Sequence, residues 1–378
     1  MPRAVYLAMT MLVLPLGLAT AEAPPNADSN AALKYWQAFA TLPRFTDDEQ
    51  KNKLAESLNK PLDAQARQMV TRAAYSLRML HYGAALPRCD WGIAYEDEGL
   101  SVLCPHRDAA RVLSNLACLS ARLHFEEDRD AEAIDDLVAA MTLGRHISRD
   151  GPFFMLLTGY AIEHRTIETL ALYLPKLDAK KIEDLKKRLD GLPAGGRSAT
   201  AMKYEEVFAL DWFVRHVRAT QDKDSLLALL TRALDTREKA RAFLAECGGS
   251  AERVLQSAEE TRQAYARMAK QLDLPPDQVV KELEREEKKQ AGNPVFKILF
   301  PALVKMRWRQ ARIEVRRAML SAALAARLKG QDALKNHPDP VVGGTFDYEA
   351  FEGGFELRSR LKEGDDKPVT LTVGRSGK

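Results

Sequence analysis

Apolar residues recur at three- and four-residue spacing along most of the chain, the pattern of amphipathic helices. Asn30 can cap a helix through Ala31, Leu33, Trp36 and Phe39 that stops near Leu42-Pro43. Thr46-Asp47-Asp48-Glu49 reads as a capping-box start, and Pro61-Leu62-Asp63 opens a segment with Met69, Val70, Ala73, Leu77 and Leu80 at helical spacing. A loop from Gly83 to Pro105 leads to a predicted hairpin. Its first arm carries Leu113, Leu116, Leu119 and Leu123; its second, after Asp128-Arg129-Asp130, carries Ala133, Leu137, Ala140 and Met141. Pro152 suits the first turn of a helix through Phe154, Leu157, Ala161 and Leu170, apolar enough to be central. Asp178 caps a charged helix to Leu189.

Gly191-Leu192-Pro193-Ala194-Gly195-Gly196 is the clearest internal boundary by composition. Helices are predicted beyond it over Tyr204 to Arg218, Ser225 to Glu246, Ala251 to Leu272, Pro276 to Gln290 and Pro294 to Leu328, the last kinked at Pro301. Helical periodicity ends at His337-Pro338-Asp339-Pro340, and short strands are expected around Thr345 to Tyr348, Phe355 to Ser359 and Val369 to Val373. The fold class is therefore mainly α: antiparallel helical hairpins or a right-handed helical array, with a small C-terminal β appendage. The expected organisation is a signal peptide over 1–21, helical domains over 22–192 and 193–335, and a β tail over 336–378.

The signal peptide rests on Arg3, the apolar run Val5 to Leu18 and the small residues Ala19-Thr20-Ala21, with cleavage preferred after Ala21. Export to the periplasm or beyond permits disulfides. Of Cys89, Cys104, Cys118 and Cys247, the pair Cys89–Cys104 flanks a loop whose closure would contribute about 3 kcal/mol. The other two fit buried thiols, and no C-x-x-C spacing supports zinc or a redox site.

The 378 residues, 46% hydrophobic and 29% charged, can form a packed core, which excludes a mainly disordered chain. With 56 Lys and Arg against 53 Asp and Glu, the balance lacks the basic excess of a nucleic-acid binder. No Walker, dinucleotide or G-x-S-x-G motif occurs in the sequence, and no cofactor is expected.

Candidate binding residues lie in two places. Trp91, Tyr95 and Asp97 share a loop with Asp90, Glu96 and Glu98, a mixture suited to a cation, a sugar or a basic peptide; alternatively Trp91 plugs the core while the acids face water. His164 and Glu168 stand four apart on one helical face, and His124 lies near an apolar stripe. Such histidines can ligate metal, but buried hydrogen-bonded imidazoles are the simpler account and no metal is expected. His146 near a helix end can favour the dipole's negative pole. An acid/base pair drawn from Asp135, Asp136, Glu163 and Glu168 depends on a separation that sequence does not give. The basic residues from Lys305 to Arg327 suit a solvated face paired with the acidic Glu282 to Glu287 helix, or a weak contact with an anionic surface.

The Cys89-Asp90-Trp91-Gly92 loop, the Leu143-Gly144-Arg145-His146 helix end and the closing Pro338-Asp339-Pro340, Phe346-Asp347-Tyr348 and Gly354-Phe355-Glu356-Leu357-Arg358-Ser359 resemble a group of uncharacterised exported bacterial helical proteins. The predicted hairpin is similar to one tetratricopeptide unit at Ala121, Ala133, Leu137 and Ala140, and departs from it at Ala117, His124 and Arg145. The tail is similar to the C-terminal strands of some pseudopilin-like proteins, without their apolar N-terminal helix. These resemblances imply no activity. The expectation is an exported helical binding or scaffold module that engages a protein or peptide of the cell envelope, with a hydrolase acting on an envelope polymer as the alternative.

Overall fold

The computed structural model describes residues 30–43, 54, 56–58, 60–272, 274–299, 303–363 and 367–375. The expected signal peptide, capping box at Thr46 and kink at Pro301 lie outside the described residues. Among the described residues, no helix is long and apolar enough to cross a membrane.

Helix α1 (Ala31–Ala40) begins at Asn30, whose Oδ1 accepts from Ala32 N at 3.1 Å and from Asp90 N at 2.9 Å. One cap residue thus starts a helix and pins the distant 90s loop. Asp63 caps α2 (Ala64–Arg72), and α3 (Ala74–Ala84) packs on α1. Gly83 makes that packing close: a Cβ there would sit 2.5 Å from the Tyr35 ring. A single turn, α4 (Tyr95–Glu98), leads to the hairpin of α5 (Pro105–Glu126) and α6 (Asp130–Arg149).

Helix α7 (Phe153–Tyr173) is the centre of the molecule, with α5 and α6 against it. Gly144 on α6 and Gly159 on α7 let the two backbones touch, since a Cβ on Gly159 would meet Gly144 O at 2.4 Å. Asp178 caps α8 (Ala179–Asp190), its Oδ1 accepting from Lys181 N at 2.9 Å. The Gly-rich stretch that follows is held against α6: Gly196 N donates to Ser148 Oγ at 2.9 Å.

Helix α9 (Ser198–Glu205) passes through a π-helical turn, Glu206–Asp211, into α10 (Trp212–Arg218). The helix expected over Ser225 to Glu246 is two helices, α11 (Lys223–Leu234) and α12 (Arg237–Glu246). Asp235 adopts φ 68, a left-handed C-cap, and Thr236 Oγ1 at once caps the next helix by accepting from Lys239 N at 3.2 Å. Helices α13 (Ala251–Ala269), α14 (Pro276–Lys289) and α15 (Pro294–Leu299) complete this half.

The long α16 (Leu303–Lys329) runs back over α7 and α8, and one continuous buried apolar cluster spans both halves of the chain. The basic residues from Lys305 to Arg327 form the expected solvated face only in part: Lys305, Arg309 and Arg327 are exposed, and the others turn inward. Arg307 and Arg316 are buried, and Arg317 reaches Glu163 on α7. On α14, Glu282 and Glu286 pair instead with Arg285, Arg267 and Lys289. A helix enclosed by neighbours brings its guanidinium groups to the nearest carboxylate, whichever element carries it.

The tail is an antiparallel meander of β1 (Asp347–Phe351), β2 (Gly354–Glu363) and β3 (Lys367–Val373), in that order. Leu357, Val369, Leu371 and Val373 are buried, and β3 lies against α7 and α16. A three-stranded sheet of this size gains its stability from such a helical bed.

Candidate functional site

A cleft of about 740 Å³ opens between α7 and β3. On α7, residues four and eight apart share a face. His164, Glu168 and Leu172, with neighbours Arg165 and Thr169, form one wall. Thr370, Leu371, Thr372, Gly374 and Arg375 form the second, and Leu58, Lys60, Pro61 and Arg122 the third. The volume lies within the range of small-molecule and peptide sites, roughly 300–1,000 Å³.

Charge distinguishes this cleft. Among the described residues, four permanent cations, Lys60, Arg122, Arg165 and Arg375, line it together with His164, against one lining carboxylate, Glu168; Glu56, outside the lining, pairs with Lys60 at 2.7 Å. Arg122 is 3% exposed, and its Nη2 donates to Lys60 O at 2.8 Å while Nη1 donates to Ser57 O. These carbonyl partners carry no formal charge, so the guanidinium keeps its positive field while fixing the third wall. Arg375 donates to the Tyr173 hydroxyl at 3.2 Å, lies over the same ring, and stands 3.6 Å from Glu126 behind the cleft.

His164 Nε2 meets Glu168 Oε1 at 3.2 Å, and Arg165 Nη1 meets Oε2 at 3.5 Å. Burial pushes the Glu168 carboxyl up, but the His164 hydrogen bond and the His164, Arg165 and Arg316 charges outweigh it and hold the group below its usual range. Glu168 is therefore ionised at neutral pH and orients its basic neighbours rather than donating a proton.

The other predicted residues lie elsewhere. Trp91 is 5% exposed; its Nε1 donates to His146 O at 3.3 Å and its ring stacks on Tyr35 and His106. Tyr95 is buried as well, whereas Glu96, Asp97 and Glu98 face solvent. In this arrangement the two aromatics anchor the loop and leave the acids to water. His124 Nδ1 stands 3.2 Å from Asp136 Oδ2, and His81 Nε2 stands 2.7 Å from Oδ1. Burial raises the Asp136 carboxyl, but hydrogen bonds from His124, His81 and Ser120 win and hold it low.

His146 does not serve the helix dipole as a cation. Burial, then the Arg149 charge, pushes it down to about 4, so it is a neutral partner of the Tyr35 hydroxyl at 3.0 Å. The expected Cys89–Cys104 bridge is absent, and all four cysteines are free thiols. Cys89 is buried beside the Ala32 backbone, whereas Cys104 turns to the Tyr95 hydroxyl, so the two side chains serve different contacts. Among the described residues, no three His, Cys, Asp or Glu side chains gather as metal ligands would.

Sequence reasoning found His164 and Glu168 but missed Lys60, Arg122, Thr370, Thr372 and Arg375. Nothing local marks those five; the fold brings them together from three separate segments. No protein family, curated protein or solved structure was found to match the chain.

Proposed function

We propose that this is an exported α-helical binding module of the cell envelope, and that the cleft between α7 and β3 holds an anionic ligand presented by a protein or peptide partner. The observation that carries this reading is the concave site lined, among the described residues, by four permanent cations and one carboxylate. Export rests on the composition of residues 1–21. Hydrolysis of an envelope polymer has less support, because it calls for two carboxyl groups poised across a substrate. Asp135 pairs with Arg188, Asp136 with two histidines, and Glu163 with Arg145 and Arg317.

Titration of the purified protein with fluorescent polyglutamate at low salt tests the reading. Binding should weaken steeply as salt rises and fall at least tenfold in Arg375→Glu, with the melting temperature unchanged. Equal affinity of wild type and variant would sink the proposal. Fractionation of the producing cell, with the protein recovered outside the cytoplasm and shortened at its N-terminus, tests export.

A further inference from the structure

We infer that the cleft's ligand is an extended acidic peptide segment, bound by adding a short strand to the open edge of β3. This rests on the anion-binding reading above and gives that reading a backbone geometry. In the order β1-β2-β3, β3 has β2 on one side only. Gly374 N donates to Ala171 O at 3.0 Å, which puts the Gly374 N–H on the side facing α7. Main-chain groups alternate sides along a strand, so the N–H and C=O of Thr372 and Thr370 face that same side, while those of Val373 and Leu371, in register with Phe355 and Leu357, face β2. A close approach supports this assignment, since a Cβ on Gly354 would meet Val373 O at 1.9 Å. Among the described residues, Thr370 and Thr372 make no main-chain hydrogen bond outside the sheet.

The open run is bounded at both ends. Gly374 closes it against α7, and Pro368, which has no N–H, occupies the same side at the other end. An edge blunted in this way resists open-ended self-association yet leaves one short stretch able to pair. Four strand steps from Thr370 to Gly374 span about 13 Å. Eight helical steps from His164 to Leu172 span about 12 Å. Two walls of matched length enclose room for four or five extended residues. Main-chain pairing supplies affinity without regard to side chain, and Arg375, Arg165 and Lys60 select carboxylates. A row of peptide-spaced donors and acceptors favours a peptide over an anionic sugar, whose groups do not match that repeat.

The test uses acetyl-Glu-Val-Glu-Thr-Glu-Val-Glu-amide and two analogues N-methylated at alternate residues, one set per strand edge, with polygalacturonate as the anion that lacks a peptide backbone. The expected result is that the parent and one analogue bind alike, while the other loses at least tenfold. Thr370→Pro, which removes an edge N–H and leaves the β2 ladder intact, should weaken the parent by a similar factor without changing polygalacturonate binding. If both analogues bind as the parent does and Arg375→Glu weakens all three, strand addition is wrong while the anion site stands. Binding of polygalacturonate alone would likewise overturn the peptide assignment. If neither anion binds, the anion reading falls with it.

Discussion

The aromatic floor beneath residues 90–98 and the cleft between α7 and β3 are built from similar side chains and put them to opposite use. In the floor, Tyr35, Trp91, His106 and His146 are at most 5% exposed, Trp91 stacked between Tyr35 and His106, the His146 ring tilted against Tyr35, and both imidazoles neutral. In the cleft, His164 and Glu168 are partly exposed, and permanent cations remain around them. A tryptophan among acids and a histidine four residues from a glutamate are equally suggestive as sequence. Burial separates them, because a group enclosed by rings cannot meet a ligand.

The largest test of this contrast is Trp91→Ala. Emptying a stacked, enclosed position should cost about 3–5 kcal/mol, read as a lower denaturant midpoint, while anion binding by the folded fraction stays unchanged. Loss of binding without loss of stability would reverse the roles of the two regions.

Acidification comes next. Burial pushes both His106 and His146 down to about 4, so the unfolded chain takes up protons near pH 6.5 before the folded protein does. Stability from these two residues is intact above pH 6.5 and falls as pH drops toward 4, by at most roughly 3 kcal/mol each. Melting temperature measured from pH 7 to 4 should fall, and less steeply in His106→Leu.

Glu205 has the opposite sign. Burial pushes it up to about 7 while its Oε1 accepts from Phe153 N at the start of α7. Its contribution is complete below about pH 4.5 and is lost as pH rises toward 7. Glu205→Gln keeps an acceptor and removes the charge, and should raise stability at pH 8 by about 2 kcal/mol. No gain in melting temperature there would show that the α7 N-terminus already compensates the carboxylate.

The smallest stability effect is expected in the cleft. Arg375→Ala should change folding stability by less than about 0.5 kcal/mol, because the side chain is exposed. If it unfolds the protein, the cleft is structural like the floor.

How much was legible in the sequence follows the range of each interaction. Asn30, Asp63 and Asp178 announce helices because a cap acts on main-chain groups two or three residues away. The break at Asp235 was hidden, since a left-handed aspartate leaves no mark that distinguishes it from an exposed helical one. The cleft joins Arg122, His164 and Arg375, and only the placement of the sheet on α7 makes them neighbours. His164 and Glu168 were visible because an i,i+4 pair is local; the ring of cations around them is topological.

The docking of β3 on α7 also sets a timetable. Roughly 200 residues separate Tyr173 from Val373. At about 5–20 residues per second, a ribosome needs roughly 10–40 s to deliver the strand after it has made the helix. Through that interval the sheet-facing side of α7 has no native cover, and a nascent chain halted before residue 367 never acquires one. Quality control of this protein therefore falls on its last few strands, and a shortened product would betray itself by the uncovered side of its own central helix.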